Sequence, residues 1–299
     1  MGRGIVLAVL LTAALAGCGK TSGAGTPAVP AASPTAYLPA DGPVRAVATV
    51  LDDGDGPVLC LGGIADSLPP QCDGPPVGGW DWDEHPEHES AEGVSWGEFV
   101  VVGGWDGTSF AATEARPATE ADWRSGDESS LSTPCEEPAG GWVVVDPATT
   151  NQAARNAVGR VAEKLPDYGL LWVDQSINPR WKDYVAGDYS LEVQQALNDP
   201  ALTVVNVGVT GDLATAEAEL RRVWGGPLCV SHLANTFERL REVAMSLQDL
   251  PGSLGAQFGS ATNRVQLPVF YDDGSIQAWV DQEYGEDVVD VTSALTPIG

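Results

Sequence analysis

The stretch from Gly79 to Gly93, GWDWDEHPEHESAEG, holds two of the three histidines in the chain among a dense set of carboxylates. Imidazoles and carboxylates bind divalent transition metals, so Asp83, Glu84, His85 and His88 form a candidate metal site. Pro86, between the histidines, disfavours the helix that would set both imidazoles on one face. Neither H-E-x-x-H nor a zinc-type cysteine pair accompanies them. The composition is that of an exposed loop, and a solvated loop is the expected reading.

The other chemically suggestive runs resolve in similar ways. In DDGDG (52–56), taking Gly56 as the sixth position of a calcium loop puts Leu51 and Gly62 at its first and twelfth. Neither is a ligand, so a hairpin turn is expected. Trp80, Trp82, Trp96 and Trp105 can stack on sugars or fill a small barrel, and the apolar area each one buries favours filling. Ser231 and His232 are adjacent, and neighbouring residues in a strand face opposite ways, which rules out a nucleophile–base pair. No G-x-S-x-G, phosphate loop or G-x-G-x-x-G opens a helix. Carboxylates are too abundant to single out a glycosidase pair. The sequence therefore assigns no catalytic residue and no cofactor. One basic and aromatic run, NPRWKDY, offers Arg180, Trp181, Lys182 and Tyr184 as a candidate binding insertion, with an ordered surface excursion as the plainer reading.

Charge narrows the partners. Fifteen Lys and Arg stand against 42 Asp and Glu, a formal charge of −27. That excludes nucleic acid and argues against docking on anionic lipid. The acids are spread along the chain, as solubility requires.

The N-terminus carries Arg3, an apolar run from Ile5 to Leu15, and then Leu15-Ala16-Gly17-Cys18. A basic start, a short apolar core and small residues make a secretory signal, too short to span a bilayer comfortably. The cysteine after the small residues resembles the bacterial lipoprotein box. That resemblance implies a signal peptide over 1–17 and a Cys18 that is acylated, palmitate included, and becomes the first mature residue. Two acyl chains suffice for stable anchoring, which places the protein on the extracytoplasmic face of the cell membrane. Residues 18–42 then form the acylated cysteine and a Gly-, Ala-, Ser- and Pro-rich tether that cannot build a core.

Without Cys18, four cysteines remain: Cys60, Cys72, Cys135 and Cys229. An even number in an exported chain favours two disulfides, with three pairings open. Cys60 with Cys72 is the preferred local closure, leaving Cys135 with Cys229.

The elements that would position these residues fall into two expected domains of an α+β protein. Residues 43–115 read as β: VRAVATVL, PVLCLGGI and the long GVSWGEFVVVGGW, with a hairpin at Asp106-Gly107. Few strands and a bent, Gly-rich long one suggest a small OB-like barrel. A linker (116–141) precedes an α/β domain (142–299). There, a helix at 153–165, strands GLLWVDQSI and LTVVNVGV, a helix from Asp212 as N-cap and strand PLCVS define αββαβ. The same order follows: a helix with Leu233, Phe237, Leu240, Ala244 and Leu247 on one face, strands GAQFGSAT and RVQLPVFY joined by a turn at Asn263, a helix and strand DVVDVTSAL. Trp224-Gly225 aligns with Tyr284-Gly285, each glycine expected in a left-handed helix C-terminus. The expectation is a duplicated two-layer αββαβ sandwich, with copies at about 150–232 and 233–297 and an insertion at 176–200 in the first.

The motifs LCLGG…LPPQCDGPP…GWDW, GVSWGEFVVVGGWDGTSF, GGWVVVDPATT, LLWVDQSINP and VWGGPLCVS together resemble a set of uncharacterised secreted lipoproteins of actinobacteria, which carry no known activity. The second domain, through TGDLATAEAELRR and SHLANTFERL, resembles the pro-segments of streptogrisin and α-lytic-type proteases, which implies an inhibitor or folding chaperone. The leading expectation is a membrane-anchored binding or scaffolding module, not an enzyme, whose partner is an envelope protein or glycan. The alternative is a protease-regulating module; a third is a cell-wall hydrolase. The anchor is directly testable. Mass spectrometry of the native protein is expected to find a diacylated Cys18 at the mature N-terminus, and Cys18→Ser to leave the signal uncleaved or free the protein from the membrane. An unmodified N-terminus elsewhere overturns the assignment.

Overall fold

The computed structural model describes residues 33–123, 131–259 and 262–298. The signal, Cys18, the first part of the tether and the middle of the linker lie outside them.

The first half is a β structure. Strand β1 (Val44–Asp52) has alternate apolar residues on the inside, among them Val44, Ala46, Ala48 and Val50. It turns through DDGDG into β2 (Val58–Cys60), an antiparallel partner. Asp52 holds this turn, its Oδ1 accepting from the backbone N–H of Gly54 and Gly56 at 2.9 and 3.1 Å. The hairpin reading of this run therefore stands. β2 is much shorter than the sequence suggested, because the chain leaves the ladder after Cys60 at the disulfide loop. β3 (Val77–Gly78) and β4 (Glu89–Ala91) are short, and β5 (Val94–Trp105) is the long strand. β5 pairs antiparallel with β1 and with β6 (Phe110–Pro117), and a register shift at Val102/Gly103 bends it. β3 joins β6 in parallel. The ends then meet: Val58 bridges Pro76, and Leu59 N–H donates to the Pro75 carbonyl at 2.9 Å. The result is a nearly closed, barrel-like sheet filled by Leu59, Phe99, Val101, Trp105 and Phe110. Gly74 permits the closure, since a Cβ there would lie 2.0 Å from the Leu59 carbonyl oxygen.

Both flanks of the chain return to this barrel. Residues 37–42, expected to be tether, pack instead: Ala40 N–H donates to the Trp105 carbonyl at 3.0 Å and Leu38 reaches the cores of the barrel and of the C-terminal α/β unit. At the other end β12 (Thr296–Pro297) pairs with β1, while Tyr271 and Leu295 are buried in the barrel core. The described chain from Ser33 onward is accordingly one compact unit. The start of the linker is docked as well. Helix α1 (Glu120–Trp123) carries Asp122, which accepts from Arg116 and Arg45, and Trp123 Nε1 donates to Glu98.

The second half has mixed topology. Helix α2 (Gln152–Ala162), capped by Asn151, leads to β7 (Tyr168–Asp174). Short helices α3 (Trp181–Val185) and α4 (Leu191–Leu197) interrupt before β8 (Val204–Val209), which is antiparallel to β7. Helix α5 (Leu213–Arg221) follows, with Asp212 accepting from Thr215 N–H at 2.8 Å as its cap, then β9 (Leu228–His232), parallel to β8. Val205, Val207 and Val209 pack on α2 and α5 in one core. The chain then forms α6 (Phe237–Ser246), β10 (Val265–Val269), α7 (Ser275–Tyr284) and β11 (Val289–Ser293), the two strands parallel. Isolated bridges from Ser253 and Gln257 run antiparallel to β10.

Three local expectations are corrected here. Of GAQFGSAT, the described residues 255–259 form no regular strand; they pair with β10 only through an isolated bridge at Gln257, with another just before them at Ser253. Leu233 precedes α6 instead of joining its apolar face, lying over Gly208, where a Cβ would come within 2.2 Å of it. Of the two aromatic-Gly pairs, Gly285 has φ +108° but Gly225 does not share the left-handed region. Gly225 is required because the Asp146 carbonyl oxygen would lie 2.3 Å from a Cβ.

Both disulfides form as expected, Cys60–Cys72 and Cys135–Cys229. The second pins residues 131–135 over the β7–β8–β9 face opposite the helices, where Thr133 N–H also donates to Asp174 at 2.8 Å. Asn235 and Asn263 tie the segment before α6 to the start of β10. Asn263, at φ +54°, accepts from Asn235 N–H at 2.7 Å, and its amide donates back to the Asn235 carbonyl at 2.9 Å. Both are nearly fully buried, so these bonds are made without competing water. Asn263→Ala is expected to cost on the order of 2–3 kcal/mol, by orphaning buried groups and straining a left-handed backbone. Asn263→Gly, which removes only the amide bonds, is expected to cost less. Urea midpoints at constant slope measure both, and equal midpoints for the two variants would remove the backbone part of the argument.

Candidate functional site

The histidine-rich stretch is a short 3-10 turn, Trp82–Glu84, capped by Asp81. Its histidines do not converge on a metal. His85 stacks on Trp80, ring centroids 4.3 Å apart, and lies 5.1 Å from Phe99. His88 Nδ1 sits 2.6 Å from the His85 carbonyl, and its ring lies 5.0 Å from Trp82. Asp83 and Glu84 are exposed. Among the described residues no group of three or more His, Cys, Asp or Glu is arranged to hold a metal ion. The stretch is also less solvated than its composition implied. The two imidazoles, half-buried, extend an aromatic cluster of Trp80, Trp82 and Phe99 that closes one end of the barrel. Trp105 is buried in the barrel core, with Trp80 and Trp82 packed against it, whereas Trp96 is buried in a separate small cluster with Leu51 and Cys60.

Ser231 and His232 part as expected. The register puts Ser231 beside Gly208 and His232 beside Val209, on opposite faces. In the insertion, α3 and α4 are stitched back by the Asn178 amide on the Ala196 carbonyl and Gln175 on the Leu197 carbonyl. Arg180 is ion-paired with Asp183 and Glu192, which neutralises the basic character noted in the sequence. Trp181, Tyr184 and Tyr189 form a ladder with centroids 5.6 and 5.0 Å apart. Lys182 lies on α3 within this excursion.

The site that sequence reasoning missed is a cleft of about 580 Å³ where distant stretches of the chain meet. The entry segment supplies Tyr37, the β5–β6 hairpin supplies Trp105 and Thr108, and the α/β half supplies Ser253 and Phe270. Asp73, from the disulfide loop between β2 and β3, completes it. Tyr37 and Phe270 stack at 5.3 Å with 15° between planes, and Trp105 meets Phe270 edge-on at 5.9 Å. Trp105 is fixed by its indole N–H donating to the Leu38 carbonyl at 2.7 Å. The volume lies within the range of small-molecule pockets. The residues join positions 37, 73, 105, 253 and 270, so no local motif announces them.

The hairpin forming one wall is built by Asp106. Its carboxylate accepts from the backbone N–H of Ser109 and Thr108 and from both hydroxyls, at 2.7–2.9 Å. Gly107 takes φ +93° to complete the turn. These bonds, the Ser109 and Thr108 backbone first, hold the Asp106 carboxyl well below the usual carboxylate range.

No protein-family model matches the chain, nor does any curated protein or solved structure.

Because its pKa is lowered on folding, Asp106 contributes stability fully present above about pH 4, the ordinary Asp value, and lost as pH falls through the lower folded value. Wild type is therefore expected to lose more thermal stability than Asp106→Asn on acidification from pH 7 to 3. Parallel melting curves for the two over that range would refute the assignment.

Proposed function

We propose that the protein is a membrane-anchored, extracytoplasmic binding module whose ligand enters the Tyr37–Trp105–Phe270 cleft. The cleft carries this reading: three rings held by packing and a backbone hydrogen bond make a preformed apolar wall beside a few polar groups. Anchoring rests on the lipoprotein box at Cys18. Tyr37, on the cleft rim, lies toward the end of the residues read from the sequence as tether. No helix among the described residues is long and apolar enough to cross a membrane. An envelope protein or glycan supplies the ligand, and nucleic acid is disfavoured by the charge.

Two finer readings of the architecture support the same picture. The ring β1–β5–β6–β3–β2, with one parallel contact, supports an OB-like barrel, a fold that binds through its inter-strand loops; here the β5–β6 loop lines the cleft. The αββαβ half reads as a duplication: in each unit the central strand has an antiparallel neighbour on one side and a parallel one on the other.

A cleft-filling variant tests the binding role. Gly63 lines the cleft, and a Cβ there meets nothing within 4 Å. Gly63→Trp is expected to leave the melting temperature unchanged while abolishing saturable quenching of tryptophan fluorescence by envelope-derived small molecules and glycans. Ligand binding indifferent to Gly63→Trp would place the site elsewhere.

A further inference from the structure

We propose that the cleft is a receptor for an organic ammonium ion; this rests on the reading of the cleft as the binding site. The first observation is charge. Among the residues that line the cleft, Asp73 alone is charged. Its side chain is in an exposed residue and has no hydrogen-bond or ion-pair partner among the described residues. A carboxylate on the wall of a cleft with no cation of its own is complementary to a positive ligand. The field of a chain of formal charge −27 draws cations toward it and repels anions.

The second observation is the wall itself. Tyr37 and Phe270 put two π-systems at one side of the cleft, with Trp105 buried behind them. Cations are attracted to such rings within about 6 Å of a centroid, and quaternary ammonium groups are the ligands for which aromatic walls are most suited. Tyr37 remains 46% exposed despite its stacking on Phe270, so it retains surface to offer.

The other ligand classes fit less well. An anion would meet Asp73 with no opposing charge. A purely apolar ligand would remove water from that carboxylate without replacing it, which is costly. A neutral polyol needs several directional donors and acceptors, and of the three hydroxyls that line the cleft, Tyr37, Thr108 and Ser253, the last two are engaged in their own turns. Thr108 Oγ1 donates to Asp106 at 2.8 Å, and Ser253 Oγ accepts from Gly255 N–H at 3.2 Å. An ammonium group asks for neither and interacts with the rings and the carboxylate from any azimuth.

Isothermal titration of the full-length protein tests the idea with five probes. These are choline, tetramethylammonium, Nα-acetyl-lysine methylamide, N-acetylglucosamine, and the carbon isostere of choline in which tert-butyl replaces trimethylammonium. The cations are expected to bind saturably, with the isostere about tenfold weaker. Asp73→Asn and Tyr37→Leu are each expected to lower choline affinity by about the same factor, with melting temperatures checked to exclude unfolding. Stronger binding of the lysine derivative than of choline would assign the ammonium to a polypeptide side chain, and the reverse to a free amine. Equal binding of choline and its isostere, or an Asp73→Asn variant of unchanged affinity, overturns the ammonium assignment while leaving the cleft as a binding site. So does tightest binding of N-acetylglucosamine. Failure of every probe at millimolar concentration in wild type overturns the ammonium assignment as well. If the fluorescence screen of envelope-derived ligands also fails, the binding reading of the cleft falls with it.

Discussion

Trp105 holds the molecule together at one point. It ends the longest strand of the barrel, its ring is 3% exposed in the barrel core, and its indole N–H is satisfied by the Leu38 carbonyl. The same ring meets Phe270, which comes from the α/β half. Burying an indole is more favourable when its N–H finds an acceptor. Here the acceptor is provided by the entry segment, so core formation in the barrel recruits residues 37–40. Leu38 then packs into two cores at once. Barrel, entry segment and C-terminal unit are thereby coupled.

That coupling explains why the cleft exists. A small barrel leaves its hairpin loops exposed, and its N-terminal strand has an open edge beyond Val44. The C-terminal strand β12 covers part of that edge, with Thr296 Oγ1 donating to the Arg45 carbonyl. The return of the chain to β1 brings residues 252–254 and 270 opposite the Asp106 hairpin. Between them a space remains that neither half would have alone. Its aromatic wall is preorganised because each ring is held by something other than a ligand.

The acidic surface fits this arrangement. Many of the arginines sit in pairs with acids: Arg45 and Arg116 on Asp122, Arg180 on Asp183 and Glu192, Arg264 on Asp287 and Asp290. Exposed pairs of this kind add little stability singly. Each pair cancels charge locally, so the net charge of −27 is carried by the acids that remain unpaired.

What the sequence alone determined follows from local rules. Alternation wrote β1 and β5 into the chain, Asp52 and Asp106 fixed their turns because a carboxylate beside glycines satisfies turn N–H groups, and Asp212 marked a helix start. The cysteine pairing was also legible, since one local closure left a single remaining pair. Where backbone approach or packing decides, the sequence was silent or misleading. Gly225 and Gly285 follow the same kind of aromatic residue, but one is needed for a carbonyl pressed against it and the other for its φ. His85 and His88 read as solvent-facing from their acidic neighbours, yet ring stacking on Trp80 and Trp82 turned them inward, because apolar ring area outweighs local polarity once an aromatic cluster is present. The cleft lay furthest from view. Its residues span positions 37 to 270, and only the closure of the chain upon its own first strand sets them side by side.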